Sequence, residues 1–384
     1  MLGYGHLAVT KVKTSIGWLH AFFYFQKQQT MKKILSTLVA LVCATATFAQ
    51  VSEVQTATLI HGDKTSVFYG TSALQDAYNA AADTADVIIL SNGTYPRLNN
   101  ISKSVSIYGS GMDNNADISL NATICRGFTI EQSEYYDDYG EKQFKTPVVH
   151  LEGLCIDDGT TGAFYEYLYG IIVNNPNTPL RNLNIVKCSV RGIIFNGDIV
   201  DCTIRQSRSW QYINAKNHKM ESLNIYNSFV MGISQVPIGS TVLVDHCILG
   251  TSSCSIGYYT NNIVIKGYIE AQSTCYNNIF TGKTDNNYMG SPNIQEGNWF
   301  NIDNEVLWAV EGEDGSYGPT KTYELKFPKK YVGTDGTVVG PAGGQYPWNV
   351  IPSLPRIVSS DIDARVAADG QLKVSLKVEA QTKE

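Results

Sequence analysis

A six-residue phrase recurs along the chain at irregular intervals. It reads apolar, any, turn-former, small or apolar, any, apolar. The copies are Cys125–Ile130, Leu151–Ile156, Ile185–Val190, Ile199–Ile204, Ile225–Val230, Val244–Leu249 and Cys275–Phe280. A flat strand places inward residues at positions one, three and five, because side chains alternate faces. Here they fall at one, four and six, so each phrase is a strand, a corner and a second strand. The third position holds Gly127, Gly153, Lys187, Asp201, Asn227, His246 and Asn277. Gly takes a left-handed backbone without steric cost, and Asn, Asp and His tolerate it best among the rest. Lys187 is the one corner outside that rule.

Position four falls at 128, 154, 188, 202, 228, 247 and 278, an average step of 25 residues. Such a period without helical patterning predicts a β-solenoid, whose repeats stack and bury a continuous core. Cys188, Cys202 and Cys247 share position four with Ser228 and Asn278. One interior file of small side chains is a packing device, since free Cys behaves as a small hydrophobe. The Cys residues are therefore expected to pack rather than to form disulfides. No Cys-x-x-Cys or paired Cys/His spacing indicates a metal. The Asn227 and Asn277 corners are expected to hydrogen-bond along the stack.

Residues 31–49 read as a signal peptide: Met31-Lys32-Lys33, an apolar core Ile34–Val42 too short to span a bilayer, and Thr47-Phe48-Ala49 before Gln50. On that reading residues 1–30 lie upstream of the true start. The mature chain is exported to the periplasm, cell surface or medium, with no transmembrane segment. The formal net charge of −6 argues against a nucleic-acid partner. Residues 50–330 form the repeat domain. Residues 331–384 comprise a Gly-rich segment and a strand pair, 361–368 with 372–380. A helix is predicted over 72–82, opened by a Ser72/Gln75 capping box.

The stretch from Ala73 to Tyr95, helix then acidic turn then apolar strand then Gly-Thr-Tyr, resembles the opening of pectin-lyase-like right-handed parallel β-helix proteins. The tail resembles the C-terminal part of β-helix repeat proteins exported by Bacteroidota. The resemblance spans 50–384 and implies an all-β fold whose open end is plugged by the helix. It also implies a polysaccharide or cell-surface glycan as the partner.

Enzymes of that family supply the catalytic candidates. Asp157 and Asp158 resemble the paired carboxylates of the hydrolases, but the accompanying Gly-His-Gly and Arg-x-Lys are absent. Asp245-His246 resembles a pectate-lyase strand, yet His246 and Asp201 sit at corners and read as turn residues. The Arg-x-Pro-x-x-Arg arrangement of those lyases is also missing. A loop from Arg205 to Lys219 carries Arg205, Arg208 and Lys219 as candidate catalytic cations. It also carries Trp210 and Tyr212 as sugar platforms. Tyr165 and Tyr167, in a second aromatic loop, are further ligand-binding candidates. Asp137 and Asp138 are the metal candidates, for the Ca²⁺ that a lyase would use. With each enzyme motif broken at a named position, non-catalytic glycan binding is the expectation. A lyase or hydrolase of uronate-containing polysaccharide is the alternative.

Overall fold

Burial alternates along strand after strand. In Cys202–Arg205, Cys202 and Ile204 are buried while Thr203 and Arg205 face outward, and Leu223–Tyr226 and Val242–Asp245 repeat the pattern. Such segments build the long sheets of a computed structural model that describes residues 54–115, 121–157, 169–250, 253–282, 293–362 and 374–379. The expected signal peptide at 31–49 lies outside the described residues. Two compact units are present, one within Val51–Pro352 and one within Ser353–Glu384.

The first unit is all-β and dominated by parallel pairing. A sheet of 12 strands opens antiparallel, with Thr56–His61 between Lys64–Tyr69 and Asp86–Leu90. It then continues in parallel, in chain order, from Asp86–Leu90 to Ile294–Glu296. A second sheet follows the same order from Gly93–Tyr95 to Trp299–Ile302. Ile107, Leu151, Ile185, Ile204, Ile225, Val244 and Tyr259 pair in one inward file, each at most 4% exposed. Every buried Ile or Leu of this kind contributes about 1.5–3 kcal/mol. Long parallel sheets with a shared interior are compatible with a β-helix.

The corners carry the register. Gly153, Lys187, Gln206, Asn227, His246, Asn261, Asn277 and Gly297 link the two sheets with φ between +45° and +68°. Lys187, the expected exception, has φ +51° like its neighbours. Asp201 is not a corner: the phrase belongs at Ile204–Ser209, and Gln206 turns there with φ +49°. A further copy at Asn261 falls between the His246 and Asn277 corners and another at Gly297 carries the repeat past Phe280, which together shorten its period to about 21 residues. Gly127, with φ +117°, turns a different corner, between Thr123–Cys125 and Phe128–Glu131.

One position after the corner runs a hydrogen-bonded ladder. The backbone N–H of Cys188 donates to Ser207 Oγ (3.1 Å), that of Ser207 to Ser228 Oγ (3.1 Å) and that of Ser228 to Cys247 Sγ (3.4 Å). Cys247 N–H donates to Asn262 Oδ1 (2.8 Å), Asn262 N–H to Asn278 Oδ1 (3.0 Å) and Asn278 N–H to Asn298 Oδ1 (2.9 Å). Each buried amide at the bend thus finds an acceptor on the next repeat. Cys202 is not in this file. It lies within a strand, paired with Leu183 and Leu223, and Ser207 holds the slot. Cys125, Cys155, Cys188, Cys202, Cys247 and Cys275 are free thiols.

The helix spans Ala73–Ala80 and buries Ala73, Leu74, Ala77 and Tyr78. The capping box does not form. Ser72 already has helical dihedrals, so its hydroxyl donates instead to Asp76 Oδ2 (2.7 Å), and Gln75 bonds Asn79.

Residues 303–352 return over the outside of the repeats. Corner side chains meet this strap in reverse order. Asn277 donates to Val332 O (2.8 Å), and Asn261 Oδ1 accepts from Thr334 N–H (2.7 Å). His246 Nε2 lies 3.0 Å from Thr337 Oγ1, and Asn227 donates to Gly343 O (2.7 Å). Gln206 donates to Pro347 O (2.6 Å) and Lys187 to Ile351 O (2.8 Å). Asn227 and Asn277 therefore bond the strap rather than one another, because the left-handed bend turns their side chains off the stack. A second core, with Leu307, Trp308, Tyr323, Leu325 and Val339, covers the outer face of the second sheet.

In the second unit, Arg356–Ile362 pairs antiparallel with Val374–Glu379. The first strand starts five residues before the predicted 361. Among the described residues no helix is long and apolar enough to cross a membrane.

Candidate functional site

Outward residues of the second sheet form one file: Ile124, Cys155, Ser189, Arg208, Phe229, Ile248, Ile263, Ile279 and Trp299. From Phe229 onward the file is apolar and lies under the strap's core. At Arg208 it turns polar. A groove of about 330 Å³ opens there, between the strand Arg208–Asn214 and the loop 314–316. Trp210 (51% exposed) and Met231 (39%) form its apolar wall.

Arg208 and Trp210 share a strand face at i and i+2 spacing, so the guanidinium lies over the indole ring. Tyr317 closes the other side, with its ring centroid 4.1 Å from the guanidinium carbon. Trp210 Nε1 donates to Ser189 Oγ (2.7 Å), which fixes the ring. Desolvation lowers the Arg208 pKa to about 10, so it stays cationic at neutral pH. Among the described residues no carboxylate lies within ion-pair distance of it. Asp113, from the loop after Val105–Tyr108, is near enough to interact electrostatically. Burial pushes its carboxyl up to about 6 against the pull of Arg208, and the Tyr317 hydroxyl donates to it. Cys155 lies beside this group. Burial, with Asp157 and Asp113 nearby, raises its thiol to about 11, which removes it as a nucleophile.

The expected residues fall in different places. Asp157 ends the strand beside Cys155 and pairs with Arg191 (3.2 Å). Arg205 stands on the outer face of the first sheet, 5.0 Å from the Tyr346 ring. Lys219 lies in a third place, in the turn before the first sheet, where its backbone N–H donates to Asp198 (2.9 Å). Arg205, Arg208 and Lys219, close in sequence, are thus not brought together. Tyr212 shares the Arg208 strand beyond a register shift and pairs with Gly232. Asp158, Tyr165 and Tyr167 lie outside the described residues. Asp137 caps its own hairpin turn, accepting from Glu141 N–H (2.9 Å), Tyr139 N–H (3.0 Å) and Gln143 (3.1 Å). These bonds hold its carboxyl below the usual range. Asp138 follows it in that turn. Among the described residues no group of three or more His, Cys, Asp or Glu could hold a metal ion.

Sequence reasoning missed Asp113 and Tyr317. Tyr317 lies 204 residues from Asp113, and no spacing signals their contact. It also missed a cluster on the outer face of the first sheet. His150 Nε2 lies 3.3 Å from the buried Glu152 carboxylate, and the Tyr108 ring packs 5.1 Å from the imidazole. Burial, with Glu152 adding to it, raises the Tyr108 phenol. The alternation of His150 and Glu152 on one strand face was the available signal.

Compared with protein-family models, curated proteins and solved structures, the chain matches none of them.

Proposed function

We propose that the chain is an exported right-handed parallel β-helix, plugged at its N-terminal end by the helix Ala73–Ala80, that binds an anionic glycan through the Arg208–Trp210 groove. One observation carries the reading: a partly desolvated guanidinium, held between two aromatic rings, lines a groove and, among the described residues, has no carboxylate in ion-pair contact. Five N–H donors in a planar fork suit a carboxylate or sulfate ester. The exposed indole offers a sugar an apolar face.

The test is binding of the mature chain to a panel of acidic and neutral polysaccharides. R208A and W210A are each expected to weaken acidic-glycan binding at least tenfold, on the order of 1.4 kcal/mol. Unchanged binding in both variants rejects the groove.

A second reading, a lyase or hydrolase of uronate polysaccharide, is favoured by the His150–Glu152–Tyr108 cluster. A carboxylate-oriented imidazole beside a phenol is equipped to move a proton. Release of unsaturated product by the wild type, abolished in H150A, would establish it. No product from any uronate polymer would leave binding alone.

A further inference from the structure

Two described carboxylates approach the Arg208 group from outside its strand: Asp113, and Asp314, which lines the groove from the strap and is held ionised across the range by hydrogen bonds from Ser316. Arg208 acts on Asp113 from the second sheet, and Tyr317 donates to it from the strap. Across the same space lie the Cys155 thiol, with Asp157 and Arg126 beyond it, and the Tyr323 phenol beside Arg208. Ion-pair distance is not reached between Asp113 and Arg208, so the guanidinium keeps its donors for another acceptor. Yet an ionised Asp113 cancels part of the positive field that an incoming anion would meet. A protonated Asp113 does not, and it can still accept the Tyr317 hydrogen bond through its carbonyl oxygen.

Resting on the reading of the groove as a glycan site, we propose that Asp113 sets its affinity for anions, as a built-in competitor for Arg208 whose protonation strengthens binding. Burial of the carboxyl places that protonation near pH 6, between the acidity of a free carboxyl and neutrality. Binding is therefore tight in mildly acidic surroundings and weak at neutral pH. No main-chain movement is needed. The change is one of local charge, and it acts across Tyr317, which touches both groups, through a partly dry space where screening is weak.

Dextran sulfate is the probe, because its sulfate esters stay ionised across the range, and uncharged dextran is its control. Affinities are measured at pH 5.0 and 7.5 for wild type, D113N, Y317F and R208A. At pH 7.5 D113N is expected to bind about tenfold more tightly than wild type, the scale of one unit charge in a partly screened site. At pH 5.0 the two converge. General effects of the six His residues appear equally in both and drop out of the ratio. Y317F, which withdraws a donor from the ionised form, moves the convergence to higher pH. A ratio of wild type to D113N that is the same at both pH values overturns the role of Asp113 while leaving the groove intact. A convergence point that Y317F moves to lower pH overturns it too. Binding that R208A does not weaken rejects the groove and the competitor together.

Discussion

At the residue scale, the interior ladder is where single atoms weigh most. Asn278 is fully buried. Its Oδ1 accepts from the N–H and the side-chain amide of Asn262, and its Nδ2 donates to Tyr259 O (2.8 Å) and Asn298 Oδ1 (3.0 Å). Truncation strands buried groups on the two flanking repeats. N278A is expected to lower the unfolding free energy by about 3 kcal/mol in urea titrations, since each orphaned buried group costs about 1–3 kcal/mol. A loss under 1 kcal/mol would mean that water replaces the amide. Asp113 acts in the opposite direction. Its folded pKa, about 6, lies above the ordinary carboxyl value of 3.8, so the fold favours the protonated form. That contribution is complete below pH 3.8 and is lost as pH rises through 6. Because the side chain is only partly buried, the loss is discounted to about 1 kcal/mol. D113N should therefore match wild type in thermal melts at pH 4 and exceed it at pH 7.5.

At the element scale, the corners join two networks with one residue each. The left-handed bend sets the chain's direction, and the side chain ties down the strap. Asn227 separates the two roles. N227G keeps the backbone freedom but loses the bonds to Pro341 O (3.1 Å) and Gly343 O (2.7 Å). It should cost about 1–3 kcal/mol and raise amide exchange across 338–345 while the repeats stay protected. N227V, a β-branched residue forced to φ +45°, should cost more and disturb the repeats as well. Much of this was legible in the sequence: Gly153, Asn227, His246 and Asn277 announce the bend by residue type. Gln206 and Lys187 do not, because their long side chains are chosen for reach to Pro347 and Ile351 rather than for backbone tolerance. The phrase at Ile199–Ile204 misled for a related reason. Asp201 is a good turn-former immediately ahead of a strand, and only pairing with Leu183 and Leu223 shows that Cys202 begins that strand. The candidate site was half legible. Arg208 and Trp210 read as a pair on one strand face, whereas Asp113 and Tyr317 meet only through the return of the strap.

At the scale of the whole molecule, the first unit has a continuous core running from the N-terminal helix to the last repeats, with a second core laid on its flank. The flank core leaves the Arg208 end of the outer file open, so the groove is placed by where that core ends. The strap also has a direction in time. It lies C-terminal to every corner it ties, and its first contact, at Val332, is with Asn277, while its last, at Ile351, is with Lys187. A ribosome makes it only after the repeats it will fasten. Until then, six corner side chains and the apolar file from Phe229 to Trp299 have no cover. A nascent chain is thus sticky along one flank and becomes inert when the final fifty residues of this unit arrive, so the completion of the unit is the event that seals it.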